Sequence, residues 1–160
     1  MAKAIRRLFD LKAELKWPND VLIGGRKVCG ILGEMEAEID AIKFVNLGIG
    51  INANFPISQY ESKATSLKEV LGREISRKEL LSSVLEEMEA RKARLERADL
   101  IEEWKSLSTT LGKEVRVIAL GETIEGKAID IDSSGALIIK SRDGSLARAI
   151  AGDCVHLRGV

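Results

Sequence analysis

Two apolar segments joined by a bare Gly-Gly constrain this chain more than any other feature. Leu15 to Glu34 reads LKWPNDVLIGGRKVCGILGE. Val21 to Ile23 is a brief apolar run, and Lys27 to Ala37 is a longer one with an apolar middle. Gly24-Gly25 between them is a two-residue turn signal of the hairpin kind. Pro18 biases Trp17 towards extended or turn geometry, so the entry to the first strand is non-helical. Glu34, Glu36 and Glu38 alternate along the end of the second run, as if one face reaches water. Asp40-Ala41 is expected to close a further hairpin into Lys43 to Ala53, KFVNLGIGINA. That stretch is almost wholly apolar and predicts a buried central strand. Gly48 and Gly50 interrupt it, and a strand glycine often marks close approach of a ligand or another backbone.

Helical periodicity frames this β-rich segment. Ala4, Ile5, Leu8 and Phe9 share one face of a predicted helix over 2–9, with Lys3, Arg6 and Arg7 opposite. A short strand is expected over 11–15, and a short helix around Ser66 to Leu71. Ser76 and Glu79 have capping-box spacing, with Ile75 placed to staple onto Leu80. The helix they open carries a stripe of Leu80, Leu81, Val84, Leu85 and Met88 and is expected to run to about Arg97. Asp99 can cap another helix, holding Leu100, Ile101, Trp104 and Leu107. After Leu111-Gly112 short strands alternate with turns at Gly121, Ser133-Ser134-Gly135 and Arg142-Asp143-Gly144. This texture predicts a small β-barrel or sandwich, with a domain boundary near Thr109 to Gly112.

Composition narrows the function classes. Lys plus Arg and Asp plus Glu are 25 each, so formal net charge is zero, which argues against a generic basic surface for DNA or membrane. No apolar run approaches the roughly 20 residues of a bilayer span. MAKAIRRLFD has no long apolar core and no small-residue cleavage site, so a secretory signal is not expected. Cys29 and Cys154 lack CxxC spacing and read as buried thiols. A cytoplasmic protein fits these features.

Candidate chemistry lies in the first sixty residues. Lys16 and Lys27 flank the strand–turn–strand element, where both can reach one anionic ligand, although each taken singly also fits a solvated surface. Asp20 follows Asn19 in a turn and fits an ordinary turn-capping role equally well. Gly48-x-Gly50-x-Asn52 can let a flat ligand lie on bare backbone, or mark a bulge or tight packing. It does not match G-x-G-x-x-G. His156, the single histidine, falls in the terminal strand pattern and reads as structural. Glu86-Glu87 and Glu102-Glu103 are expected on solvated helix faces. Residues alone therefore give a soluble α/β domain plus a small β-domain, with an anion site as one option.

The combination KWPNDVLIGGRKVCGILGE followed by VNLGIGINAN resembles the catalytic domain of biotin–protein ligases. The tail from Trp104 to Leu157 resembles that family's SH3-like C-terminal domain. The resemblance implies an α+β fold: part of a class II synthetase-like mixed sheet with helices over 1–110, then a small SH3-like barrel over 111–160. It implies ATP-dependent biotinylation of a lysine on a biotin carboxyl carrier domain through biotinyl-AMP, with biotin and ATP as substrates and Mg²⁺ on the phosphates. By position, Lys27 resembles the lysine that contacts biotin and the adenylate phosphate, and Asp20 an acidic residue at the reacting centre. Gly30, Ile31 and Leu32 resemble the segment beside the biotin ring, and Gly48 and Gly50 the glycines on which ring and tail pack. Asn52 resembles a residue that hydrogen-bonds adenine. Lys16 is assigned with it to the nucleotide side, and Trp17 and Asn19 to bracing that corner. No residue is assigned to a metal.

Family members also carry, before KWPND, a basic glycine-rich loop of the G-R-G-R kind, and some a winged-helix DNA-binding domain. These 160 residues hold neither, and AIRRLF has a helical pattern instead. Little or no ligase activity is therefore expected of this chain alone, and an exposed edge and apolar face are expected to draw a homo- or hetero-oligomer. Three readings stay open: one part of a split ligase completed by a second polypeptide, a non-catalytic ligase-like binding or dimerisation module, and a piece of a longer ligase.

Overall fold

A computed structural model describes residues 1–38, 41–92, 99–119 and 121–157. The elements run α1 (Ala2–Phe9), β1 (Ala13–Lys16), β2 (Asp20–Ile23), β3 (Arg26–Glu38), β4 (Ala41–Ile51), a 3₁₀ turn (Ile57–Gln59), α2 (Leu67–Leu71), α3 (Arg77–Lys92) and α4 (Asp99–Ser106). Five strands follow: β5 (Glu114–Ala119), β6 (Glu122–Ile131), β7 (Leu137–Lys140), β8 (Leu146–Ala149) and β9 (Asp153–His156). The fold is α+β. Asp40 and the stretch of expected helix from 93 to 97 lie outside the described residues.

The chain forms two compact units. One comprises 1–13 and 19–85, the other 14–18 and 86–160. The boundary expected near 109–112 thus divides residues that the structure groups together. Ile101 and Trp104 of α4 pack against the second unit's apolar cluster, and Trp17 joins it from earlier in the chain. Its ring is 2% exposed and packs in the apolar cluster of the second unit with Val115, Val117, Ala128, Ile131, Leu137 and Ile139. Its indole Nε1–H donates to Gly135 O at 3.0 Å, and its backbone N–H donates to Thr110 Oγ1 at 3.0 Å. Burying the ring together with its one polar group is what makes an interior tryptophan favourable.

In the first unit β2, β3 and β4 are consecutive antiparallel strands. Gly24 and Gly25, at φ 56° and 75°, make the β2–β3 turn, as the left-handed positions of a two-residue hairpin require. Ile5, Val21, Val28 and Leu67 are the large side chains most completely buried here. In the helices the buried stripe is narrower than expected. Leu80 and Val84 are buried together with Ser83, whereas Leu81, Leu85 and Met88 are exposed. Ile75 and Leu80 are both buried at the start of α3, and Ser76 Oγ accepts from Glu79 N–H at 3.2 Å.

The expectation of a buried central strand over 43–53 is overturned. Phe44, Val45 and Leu47 of β4 are 48%, 54% and 53% exposed, and Leu32 and Met35 of β3 are 58% and 62% exposed. β4 ends its sheet among the described residues, and the middle of its apolar run is about half exposed on both faces, while Ile49 and Ile51 are partly buried. A continuous apolar run reports affinity for an interior; it does not supply the partner.

In the second unit the strands are antiparallel in the order β8-β7-β6-β5-β9. Two isolated bridges, Leu15 with Ser108 and Lys27 with Ala64, are parallel. Glu87 and Glu103, expected on solvated faces, instead bracket Arg91 with their carboxylates largely covered. No helix among the described residues is long and apolar enough to cross a membrane.

Candidate functional site

The site is built on the β3 backbone and depends on an irregularity. Val21 opposes Cys29 but Leu22 opposes Lys27, so Val28 is an extra residue on β3. Strict alternation would put Lys27 and Gly30 on opposite faces. The bulge resets the alternation and returns Lys27 to the Gly30 side. A Cβ placed on Gly30 would lie 3.1 Å from both Cε and Nζ of Lys27 and 3.7 Å from Asp20 Oδ1. The lysine stem therefore lies across bare backbone, where a Cβ would force it to give way.

Lys27 Nζ is 2.6 Å from Asp20 Oδ1. Asp20 faces Gly30 across the β2–β3 ladder, which sets the reach. The two side chains are 48% and 17% exposed, so the ammonium is half in water while the carboxylate is mostly covered. Asp20 Oδ1 is buried and has no aligned hydrogen-bond donor, although the ammonium touches it. Contact without alignment is an ion pair. An ammonium carries three hydrogens, so one contact with Asp20 leaves donors for a third group.

Around this pair an open cleft of about 490 Å³ is lined by Asn19, Lys27, Gly30, Ile31, Leu32, Gly48, Ile49 and Gly50. That lies within the roughly 300–1,000 Å³ of small-molecule sites. Gly30 faces Gly50 and Leu32 faces Gly48 across the β3–β4 ladder. The nearest atom to a Cβ on Gly50 would be Gly30 O at 3.9 Å, and on Gly48 Leu32 O at 3.8 Å. Those two glycines are not required by the chain's own packing. What they provide is a floor without side chains beside one cation.

The structure thus brings together Lys27, Asp20, Gly30, Ile31, Leu32, Gly48 and Gly50. Asn52 is not among the lining residues, and its Nδ2 donates to Thr65 O at 3.1 Å. Lys16 belongs to the second unit, where its charge bears on Cys154 and His156. Ile49 lines the cleft and was not singled out by sequence, because an isoleucine inside an apolar strand carries no signal of its own. Cys29, just behind the floor, is buried and its thiol is pushed up to about 11, chiefly by burial. It is not poised as a nucleophile. His156 sits in the second unit with Nε2 3.0 Å from Thr110 Oγ1, and burial pushes its pKa down. Among the described residues no group of three or more His, Cys, Asp or Glu could hold a metal ion.

Two family models match the chain: the Biotin/lipoate A/B protein ligase family over residues 1–52, and the Biotin protein ligase C terminal domain over residues 110–157. The chain belongs to the biotin protein ligase family. It is 34% identical over 157 residues to the bifunctional ligase/repressor BirA of Bacillus subtilis, covering 90% of this chain and 46% of that protein. It is 38% identical over 147 residues to the biotin–[acetyl-CoA-carboxylase] ligase of Mycobacterium tuberculosis, covering 90% and 53%. The chain spans about half the length of these curated relatives. Among solved structures it resembles the apo biotin protein ligase of Aquifex aeolicus, with TM-score 0.79 and 28% identity over 98% of this chain and 70% of that one. The same ligase in complex with biotin and ATP gives TM-score 0.79 and 27% identity, covering 99% and 67%. The residues of the cleft fall within the first matched family segment.

Proposed function

We propose that these residues form one wall of a biotinyl-adenylate pocket, in an enzyme that couples biotin to a lysine of a carrier protein at the expense of ATP. The observation that carries the reading is the Lys27 ammonium held over a glycine floor in a small-molecule-sized cleft. Bare backbone at Gly30, Gly48 and Gly50 suits a flat bicyclic ring and its tail, flanked by Ile31 and Leu32. Lys27 touches Asp20 and is half exposed, so its ammonium keeps donors for a carboxylate and a phosphate.

In the first step a carboxylate oxygen of biotin bonds to the α-phosphorus of ATP, and the bond to the bridging oxygen of pyrophosphate breaks. Negative charge gathers on the phosphoryl oxygens, where a fixed ammonium lowers the barrier. In the second step the neutral amine of the carrier lysine attacks the acyl carbon, AMP departs with the bonding electrons, and the amine loses a proton. Asp20 orients the incoming amine. Mg²⁺ bound to the nucleotide's own phosphate oxygens would supply neutralisation of the phosphate charge.

A polypeptide of these 160 residues contains no G-R-G-R loop. We assign that loop to residues supplied from elsewhere, in the same polypeptide or in trans. The exposed Leu32, Met35, Phe44, Val45 and Leu47 are the surface such a segment or a second subunit covers. The test mixes the 160-residue chain, ATP, Mg²⁺, biotin and a biotin carboxyl carrier domain, with and without the N-terminal half of a related ligase. Labelling is expected only in the complemented mixture and is expected to fall at least tenfold with Lys27→Ala. Full labelling by the chain alone overturns the need for completion; labelling indifferent to Lys27→Ala overturns the site.

A further inference from the structure

The backbone of Lys27 is held by a segment that belongs to neither sheet. β4 ends opposite Cys29, with Ile51, so the ladder stops before Lys27. There the stretch Lys63–Thr65 takes over in parallel. Lys27 N–H donates to Lys63 O at 2.9 Å, and Thr65 N–H donates to Lys27 O at 2.9 Å. Ala64, Thr65, Ser66 and Leu67 are all buried, at 7%, 0%, 0% and 0% exposure. A segment buried this deeply needs its backbone groups satisfied in place.

Asn52 closes the arrangement. Its N–H donates to Val28 O, the bulge residue, at 2.9 Å, and its own C=O accepts from Leu67 N–H at 2.9 Å. Its side-chain Nδ2 donates to Thr65 O at 3.1 Å. One residue thus ties the bulge that turns Lys27 inward to the segment that clamps the Lys27 backbone. Glu69 anchors the far end. One oxygen accepts from Ser66 N–H at 2.8 Å and the other from Ser58 N–H at 3.0 Å and Ser58 Oγ at 2.5 Å. Ser66 Oγ accepts from Glu69 N–H, completing a capping box at α2. The Ser58 hydroxyl is the main reason the Glu69 carboxyl is held down to about 2.

We propose that Asn52 and Glu69 are positioning residues for Lys27: the side-chain amide of Asn52 and the Glu69 anchor hold the Lys63–Thr65 clamp that fixes where the cleft's ammonium sits. The proposal deepens the biotinyl-adenylate reading and rests on it for its catalytic consequence. Asn52 then acts through the lysine and not through the nucleotide base.

The test has two arms. Backbone amide hydrogen exchange is measured on the 160-residue chain without ligand, for wild type, Asn52→Asp and Glu69→Gln. The expected result is at least a tenfold loss of protection at the Lys27 and Thr65 amides in Asn52→Asp, and a smaller loss in Glu69→Gln. Ile31, which bonds Asn19 O, and the strands of the second unit should keep their protection. Unchanged protection at Lys27 and Thr65 overturns the clamp, and Glu69→Gln decides the matter if Asn52→Asp fails to fold. In the complemented labelling assay, kcat is expected to fall at least tenfold in Asn52→Asp while KM for ATP moves less than threefold. A rise in KM for ATP with protection intact assigns Asn52 to base recognition and overturns the positioning role. Absence of labelling even in wild type refutes the ligase reading, and the exchange arm still decides whether the clamp exists.

Discussion

The room that Gly30 leaves for Lys27 has a measurable energetic signature. At 2.6 Å two unit charges attract by about 1.6 kcal/mol in the dielectric of water and about 6 kcal/mol at an effective dielectric of 20. Desolvating Asp20 opposes this, and Lys27 is half exposed, so the net coupling is expected near 1 kcal/mol, at the upper end for exposed pairs. A double-mutant cycle of Asp20→Asn and Lys27→Met measures it. In a Gly30→Ala background the new methyl group meets Cε and Nζ at 3.1 Å, and the flexible stem swings into water. The coupling should then drop below about 0.3 kcal/mol, the scale of a screened surface pair. Gly30→Ala itself should alter stability by less than about 1 kcal/mol, because the restricted unfolded chain offsets the lost ion pair. The choice of probe matters. Trp17 and Trp104 both lie in the second unit, so tryptophan fluorescence would miss the change. Cys29 lies in the first unit and is buried, so peptide-resolved thiol labelling across a urea series reports on the right unit. A coupling that persists undiminished in Gly30→Ala refutes the claim that glycine is there to admit the lysine.

Three further outcomes follow from the same structure. The His156 pKa is lowered by burial first and then by Lys16 and Lys113, so the folded second unit binds that proton less readily than the unfolded chain. Its stability should hold above the unfolded value of about 6.5 and decline as pH falls below it; tryptophan-monitored unfolding should show this, and His156→Gln should flatten it. Thr65 is fully buried and its Oγ1 has no hydrogen-bond partner, so Thr65→Val should stabilise the first unit by about 1 kcal/mol in the Cys29 labelling assay. Gly126 has φ 157°, and a Cβ there would sit 2.3 Å from Lys140 O, so Gly126→Ala should destabilise the second unit by about 2–4 kcal/mol in thermal unfolding.

Features set by local chemistry were legible in the sequence. Gly24-Gly25 makes its turn, the short helix expected around Ser66 to Leu71 spans Leu67–Leu71, and the strands after residue 112 fall where turn residues predicted them. The cleft's glycines and Lys27 were found through a motif, and the ladder register explains why they converge. What was not legible depends on pairing across distance. Nothing in RKVCG announces that Val28 is an extra residue, because a bulge exists only relative to the partner strand. ATSL looks like a polar loop and is buried, because its burial follows from clamping Lys27. β4 was misjudged for the converse reason: an apolar run states a preference for an interior, and Phe44, Val45 and Leu47 are left about half exposed.

The placement of Trp17 has a practical corollary for anyone recombining this architecture. A splice made at residue 110, where one family match begins, would separate an indole from the barrel-side carbonyl and methyl groups that enclose it. The grafted piece would arrive with a hole, and the donor would keep a stranded aromatic. Exchangeable cassettes here are defined by shared interior and not by contiguous numbering, so a chimera has to carry Glu14–Pro18 along with the tail.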